Sequence, residues 1–106
     1  MIDSDRLQKA LTYMAETDED TAEAKTEVER ATWLCKHARA LTYEAVEGKS
    51  VEDRKMAVER SGAVVQAEER RISAILGFEK LKAKRETEAL IVEVWRSLNA
   101  NRRQAQ

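Results

Sequence analysis

The chain has 106 residues, of which 37% are charged and 5% aromatic, so it has room for one domain and for a narrow apolar stripe rather than a thick globular core. With no proline, only three glycines and many Ala, Glu, Lys, Arg and Leu, it lacks the punctuation of a sheet and favours long helices. The net charge of −1 hides a polarity: residues 1–30 carry nine acids against four bases, net −5, which leaves +4 for residues 31–106.

The opening Met1-Ile2-Asp3-Ser4-Asp5-Arg6 is not a basic start followed by an apolar stretch, and no run approaches the ~20 apolar residues that span a bilayer. No membrane association and a cytoplasmic location are expected. A first amphipathic helix over 4–16, with Ser4 as its N-cap, shows an apolar face through Leu7, Leu11 and Met14. The stripe vanishes across Glu16-Thr17-Asp18-Glu19-Asp20-Thr21, where Thr17 and Asp20 have the spacing of a weak capping box, so the helix breaks or kinks there.

A second helix over 18–47 carries Ala24, Val28, Ala31, Leu34 with Cys35, Ala38, Leu41 and Ala45, in the steps of three and four that mark a packing seam. Gly48 suits a left-handed C′ position after it, and Ser50 with Asp53 three residues on opens a short connecting helix over 51–60. Ser61-Gly62 lets the chain redirect into a last helix over 63–98. Its apolar positions Val65, Ile72, Ile75, Leu76, Phe78 and Leu81 yield to a charged stretch from Lys82 to Glu88 and resume from Ala89 to Leu98. Residues 99–106 read as a frayed tail.

Two long limbs joined by a short corner give an all-α fold, a long antiparallel helical hairpin of coiled-coil-like pattern, as a single domain over 1–106. If Ala45 lies near Ala63 across the corner, Lys82, Lys84 and Arg85 fall opposite Asp20, Glu23 and Glu27, and the charged gaps of the two limbs match. Such exposed pairs select register rather than add much stability. One intramolecular seam does not use the apolar surface of 89–98 or Trp33, Leu34 and Phe78. An oligomeric helical bundle is therefore expected, a homodimer or higher homo-oligomer, with Trp33, Leu34, Phe78, Leu90, Val94 and Leu98 at its interface.

Chemistry-bearing residues are sparse. Cys35, the only cysteine, permits neither an intrachain disulfide nor a structural zinc site. It stands two residues from His37, roughly 200° away around a helix, so the two cannot form a nucleophile–base pair. Acid pairs such as Glu23 with Glu27, or Asp20 with Glu23, have chelating spacing but read as a solvated face, and His37 follows Leu34 rather than the acid of a di-iron Glu-x-x-His motif. No Gly-rich phosphate loop is present. The expectation is a non-enzymatic protein with no catalytic residue, cofactor or metal.

The end of the chain is more distinctive. Trp95, Arg96, Asn99, Asn101, Arg102 and Arg103 combine a stacking ring with side chains that fork onto phosphates and base edges, and no acid follows. A partner or single-stranded nucleic-acid contact would use these groups. The alternative, preferred here, is that cations at a helix C-terminus simply complement its dipole, and the acidic N-terminal region argues against a large duplex footprint.

This segment, from Val92 through Trp95-Arg96-Ser97-Leu98-Asn99-Ala100-Asn101-Arg102-Arg103, together with the corner from Val46 to Lys55, resembles small uncharacterised helical proteins of tailed bacteriophages and prophages encoded among DNA replication and recombination functions. The resemblance covers about a fifth of the chain. It implies a recombination or replication accessory acting in the bacterial host cell, and supplies no catalytic residue. A structural component or assembly chaperone of a virus particle is the rival reading of the same hairpin.

Overall fold

The computed structural model describes residues 2–105, and those residues form four α-helices: α1 (Ser4–Glu16), α2 (Asp18–Ala45), α3 (Val51–Arg60) and α4 (Gly62–Ala105). No strand occurs among the described residues. The fold is an all-α antiparallel helical hairpin, and it divides into two compact units. One comprises the described parts of Met1–Glu23 and Glu79–Gln106, the other Ala24–Phe78.

In the first unit, α1 and the start of α2 pack on the later half of α4. The cap of α1 is Asp3, whose carboxylate accepts from the Arg6 N–H at 2.8 Å, one residue earlier than the Ser4 cap expected from sequence. A carboxylate at that position also faces the positive end of the helix dipole. The helix stops for a single residue at Thr17 (φ −104°, ψ 5°). No capping box forms there. Thr17 instead donates its hydroxyl back to the Tyr13 carbonyl at 2.7 Å, and Thr21 repeats the bond onto Thr17, the back-bonding that bends helices at Thr.

In the second unit, α3 runs back along the end of α2. Arg54 donates to the Tyr43 carbonyl at 2.7 Å and lies over the Tyr43 ring at 4.1 Å, while Arg39 reaches Glu59. The turn of the hairpin is thus 46–50, and α3 belongs to the returning limb. Ser50 caps α3 by accepting from the Asp53 N–H at 3.1 Å.

Two glycine expectations are corrected. Neither Gly48 nor Gly62 has a positive φ. A Cβ on Gly48 would come within 2.9 Å of Arg54 Cγ and 3.0 Å of the Arg54 nitrogen, so the missing side chain serves close approach. The redirection before α4 is made by Ser61, whose backbone is extended (φ −63°, ψ 137°), and Gly62 is already helical.

The expected register fails as well. Arg85 meets Asp18 at 2.7 Å rather than Glu23, about one and a half turns nearer the N-terminus, and Glu27 pairs with Arg70 at 3.2 Å. Lys84 lies over the Tyr13 ring at 4.6 Å. The shift follows from α3: because it turns back along α2 instead of crossing the corner, Ala63 is not set across from Ala45.

Shielded positions step by three and four along both limbs. In the first unit they are Ala10, Met14, Thr17 and Thr21 opposite Leu81, Arg85, Glu88, Val92 and Trp95; in the second, Ala24, Val28, Ala31, Cys35 and Ala38 opposite Val64, Ala67, Arg71 and Ala74. The first limb therefore offers mostly Ala, Thr and Cys, and small side chains let helix backbones approach closely. Leu41, Val65, Ile72 and Leu76, which periodicity alone places in the seam, are exposed. Where the sequence pattern ends the last helix at Leu98, the helical backbone continues to Ala105, with Arg102 and Arg103 in its last turn. Nothing in 99–105 breaks a helix, and cations suit its negative end. Gln106 lies outside the described residues.

The glycines give opposite expectations. Gly77 sits within α4 with no neighbouring atom within 4 Å of where a Cβ would stand, so Gly77→Ala should stabilise the protein by about 0.5–1 kcal/mol. Gly48→Ala should destabilise it, because the new methyl meets Arg54 backbone. Urea midpoints of the two variants moving in the same direction would contradict both assignments.

Candidate interaction surface

Each limb contains one helix break, and in each case an arginine from the opposite limb spans it. Arg85, its side chain 17% exposed, donates to the Met14 carbonyl at 2.9 Å and to Thr17 Oγ1, and pairs with Asp18 at 2.7 Å. Met14 is in the last turn of α1, where carbonyls lack helical partners, so the guanidinium both caps α1 and holds the first residue of α2. In the other unit Arg39 forks onto Glu59 (2.8 and 3.2 Å) and reaches Glu68 at 2.8 Å, tying α2 to residues on either side of the Ser61 break. Sequence inspection misses both roles, since neither arginine belongs to a motif. The usable signal is a cation at a shielded position of the three-four pattern.

Buried ionisable groups are likewise structural. Glu88 Oε1 accepts from Arg6 Nη2 at 2.8 Å, and Oε2 lies 2.8 Å from Nη1. This hydrogen bond holds the Glu88 carboxyl below its ordinary range against the opposing effect of burial, and Arg39 does the same for Glu59 and, with Arg71, for Glu68. Burial, then the Glu68 charge, pushes the Cys35 thiol up and keeps it protonated. His37 is exposed and stacks on Trp33 with ring centroids 5.0 Å apart, on another face from buried Cys35. Among the described residues no group of three or more His, Cys, Asp or Glu could hold a metal ion, and no helix is long and apolar enough to cross a membrane.

The residues at the end of the chain do not form one surface. Trp95, Asn99 and Arg102 share a face of α4 and line a groove with Ile2, Ser4 and Leu98. Trp95 is half-buried there rather than a free stacking platform. Arg96 pairs with Glu93 at 3.1 Å, and it shares a second helix face with exposed Arg103, while Asn101 lies exposed on the same helix.

Of the residues assigned by sequence to an oligomer interface, Trp33 (59%), Leu90 (62%), Val94 and Leu98 are well exposed, whereas Leu34 and Phe78 are half-buried. Val65, Ile72 and Leu76 on α4 are exposed too, and they escape the sequence reading because a seam drawn by periodicity takes in one face of α4 too many; Val51 and Met56 on α3 are also exposed. In comparisons with known proteins, no family model matches the chain, and no curated protein or solved structure is similar to it.

Two stability expectations follow. Arg85→Lys keeps the charge but loses the fork, and should cost about 1–3 kcal/mol, with hydrogen exchange quickened at 17–21; unchanged protection there would refute the bridging role. For acid, the depressed carboxylates contribute stability that is present above the unfolded glutamate value of about 4.3 and lost as pH falls through their lower folded values. Stability should thus hold down to about pH 4.5 and decline below it, and Glu88→Gln should flatten that decline in urea titrations.

Proposed function

We propose that this chain is a non-enzymatic helical interaction protein that self-associates as a homodimer or higher homo-oligomer and serves as an accessory in phage DNA recombination or replication in the cytoplasm of a bacterial host. One observation carries the interaction reading: large apolar side chains stand exposed along α4 while the buried apolar residues, Ala10, Ala31, Cys35, Val58 and Val64, are all small. Exposed apolar faces of that kind mark surfaces that meet another protein. The ionisable groups that are held firmly are consumed in joining helices, which supports a scaffold rather than a catalyst.

The DNA assignment rests on the resemblance of 92–103 to phage proteins. Arg96, Asn101, Arg102 and Arg103 are exposed and available to a single strand, with Asn99 and Trp95 beside them in the groove. The exposed Val51 and Met56 of α3 favour the rival reading, a virus-particle component or assembly chaperone that holds a client through this patch.

Light scattering at micromolar concentration should give at least twice the 12.1 kDa chain mass, and a strict monomer would overturn self-association. Labelled single-stranded DNA should bind more weakly as salt rises. Absence of such binding would leave only protein contacts, and co-purification with capsid or tail proteins rather than a recombinase or polymerase would favour the rival.

A further inference from the structure

We infer that the groove between the start of α1 and the last turns of α4 holds a single nucleotide, its base against Trp95 and its phosphate on Arg102. This deepens the nucleic-acid reading and rests on it. Two adjoining hollows make up the groove, one of about 420 Å³ and one of about 170 Å³, and both are lined by Ile2, Ser4, Trp95 and Arg102. The larger falls within the roughly 300–1,000 Å³ of small-molecule sites. All four residues belong to the first compact unit.

The ligand follows from which side chains are already engaged. Arg6, Arg39 and Arg85 are held by facing acids, and Arg54 by the Tyr43 carbonyl. Arg102 enters no ion pair among the described residues. The rings divide in the same way: Tyr13 lies beneath Lys84, Tyr43 beneath Arg54, and Trp33 is stacked on His37, whereas Trp95 has neither a ring nor a cation upon it among the described residues. The two unengaged groups stand together, since Arg102 follows Trp95 by two helical turns and lies about 20° from it around α4. Asn99 adds an amide between them, Ser4 a hydroxyl, and Ile2 and Leu98 apolar walls. Indole, guanidinium, amide and hydroxyl all supply donors. A planar base edged with acceptors and joined to an anionic phosphate meets that set in one molecule. The one carboxylate lining the larger hollow, Asp3, already accepts from the Arg6 N–H, and no acid follows Glu93 along α4. Half-buried Trp95 presents only part of its ring to the space, so the groove takes one base and not a stacked run.

The test uses the full chain with Trp33→Phe, which leaves Trp95 as its only tryptophan. Oligothymidylate added at low salt should quench the Trp95 emission. Arg102→Ala should weaken binding of the labelled strand at least about tenfold and leave the helical circular dichroism unchanged, because Arg102 is exposed and alanine suits a helix. Strand binding with Trp95 emission unchanged and Arg102→Ala without effect would put the strand on Arg96 and Arg103, overturning the groove while leaving the nucleic-acid reading standing. Quenching by thymidine monophosphate but not by the strand would support the groove as a nucleotide site and remove the strand. Oligoglutamate quenching as well as the strand does would make the groove a seat for acidic chains and overturn the nucleotide assignment. Binding of neither strand nor mononucleotide overturns both readings.

Discussion

The fold depends on arginines that bridge helix breaks. Two limbs packed through Ala, Thr and Cys gain little from burying side chains, because small residues remove little apolar area from water. What they permit is close approach, and close approach brings a guanidinium within reach of the backbone and carboxylates of the facing limb. Arg85 uses that proximity to cap α1 and grip Asp18, and Arg39 uses it to hold Glu59 and Glu68. A fork of five donors can satisfy several acceptors with a fixed geometry, which an ammonium cannot.

The same arrangement explains where the large apolar residues are. The inner positions of α4 include Arg71, Arg85 and Glu88, so leucines and isoleucines that would thicken a core stand on its outer side. A seam rich in charge specifies register well and stabilises modestly, since ion pairs offset desolvation by only a small margin. The outer face is then the remaining source of burial. Large apolar side chains such as Ile72, Leu76 and Leu90 stand exposed on α4, so burying them would add more to stability than the charged seam does.

The helix breaks themselves are local and undemanding. Thr17 interrupts for one residue and satisfies a neighbouring carbonyl with its own hydroxyl. Ser61 turns extended and hands over to α4 at once. Neither needs a glycine in the left-handed region, and Gly48 matters for the space it leaves beside Arg54. Tyr13 and Tyr43, each beneath a cation, complete the small set of contacts that a chain so poor in aromatics can make across its limbs.

Composition and periodicity determined that this protein is helical, that it folds back on itself, and that one limb pauses near Thr17 while a new helix opens after Ser50. Those features are local, set by propensity, by steps of three and four, and by hydroxyl caps within a turn of their targets. Tertiary structure alone decided which of two overlapping apolar stripes on α4 faces inward, since Val64 and Val65, or Trp95 and Val94, are equally hydrophobic neighbours on different faces. It also decided the register, because α3 lies back along α2, and it drew Trp95 into a groove with Ile2 and Ser4, distant in sequence. Periodicity measures how often an apolar residue recurs. Which recurrence is buried depends on the facing limb, and a single strand of letters carries no term for that.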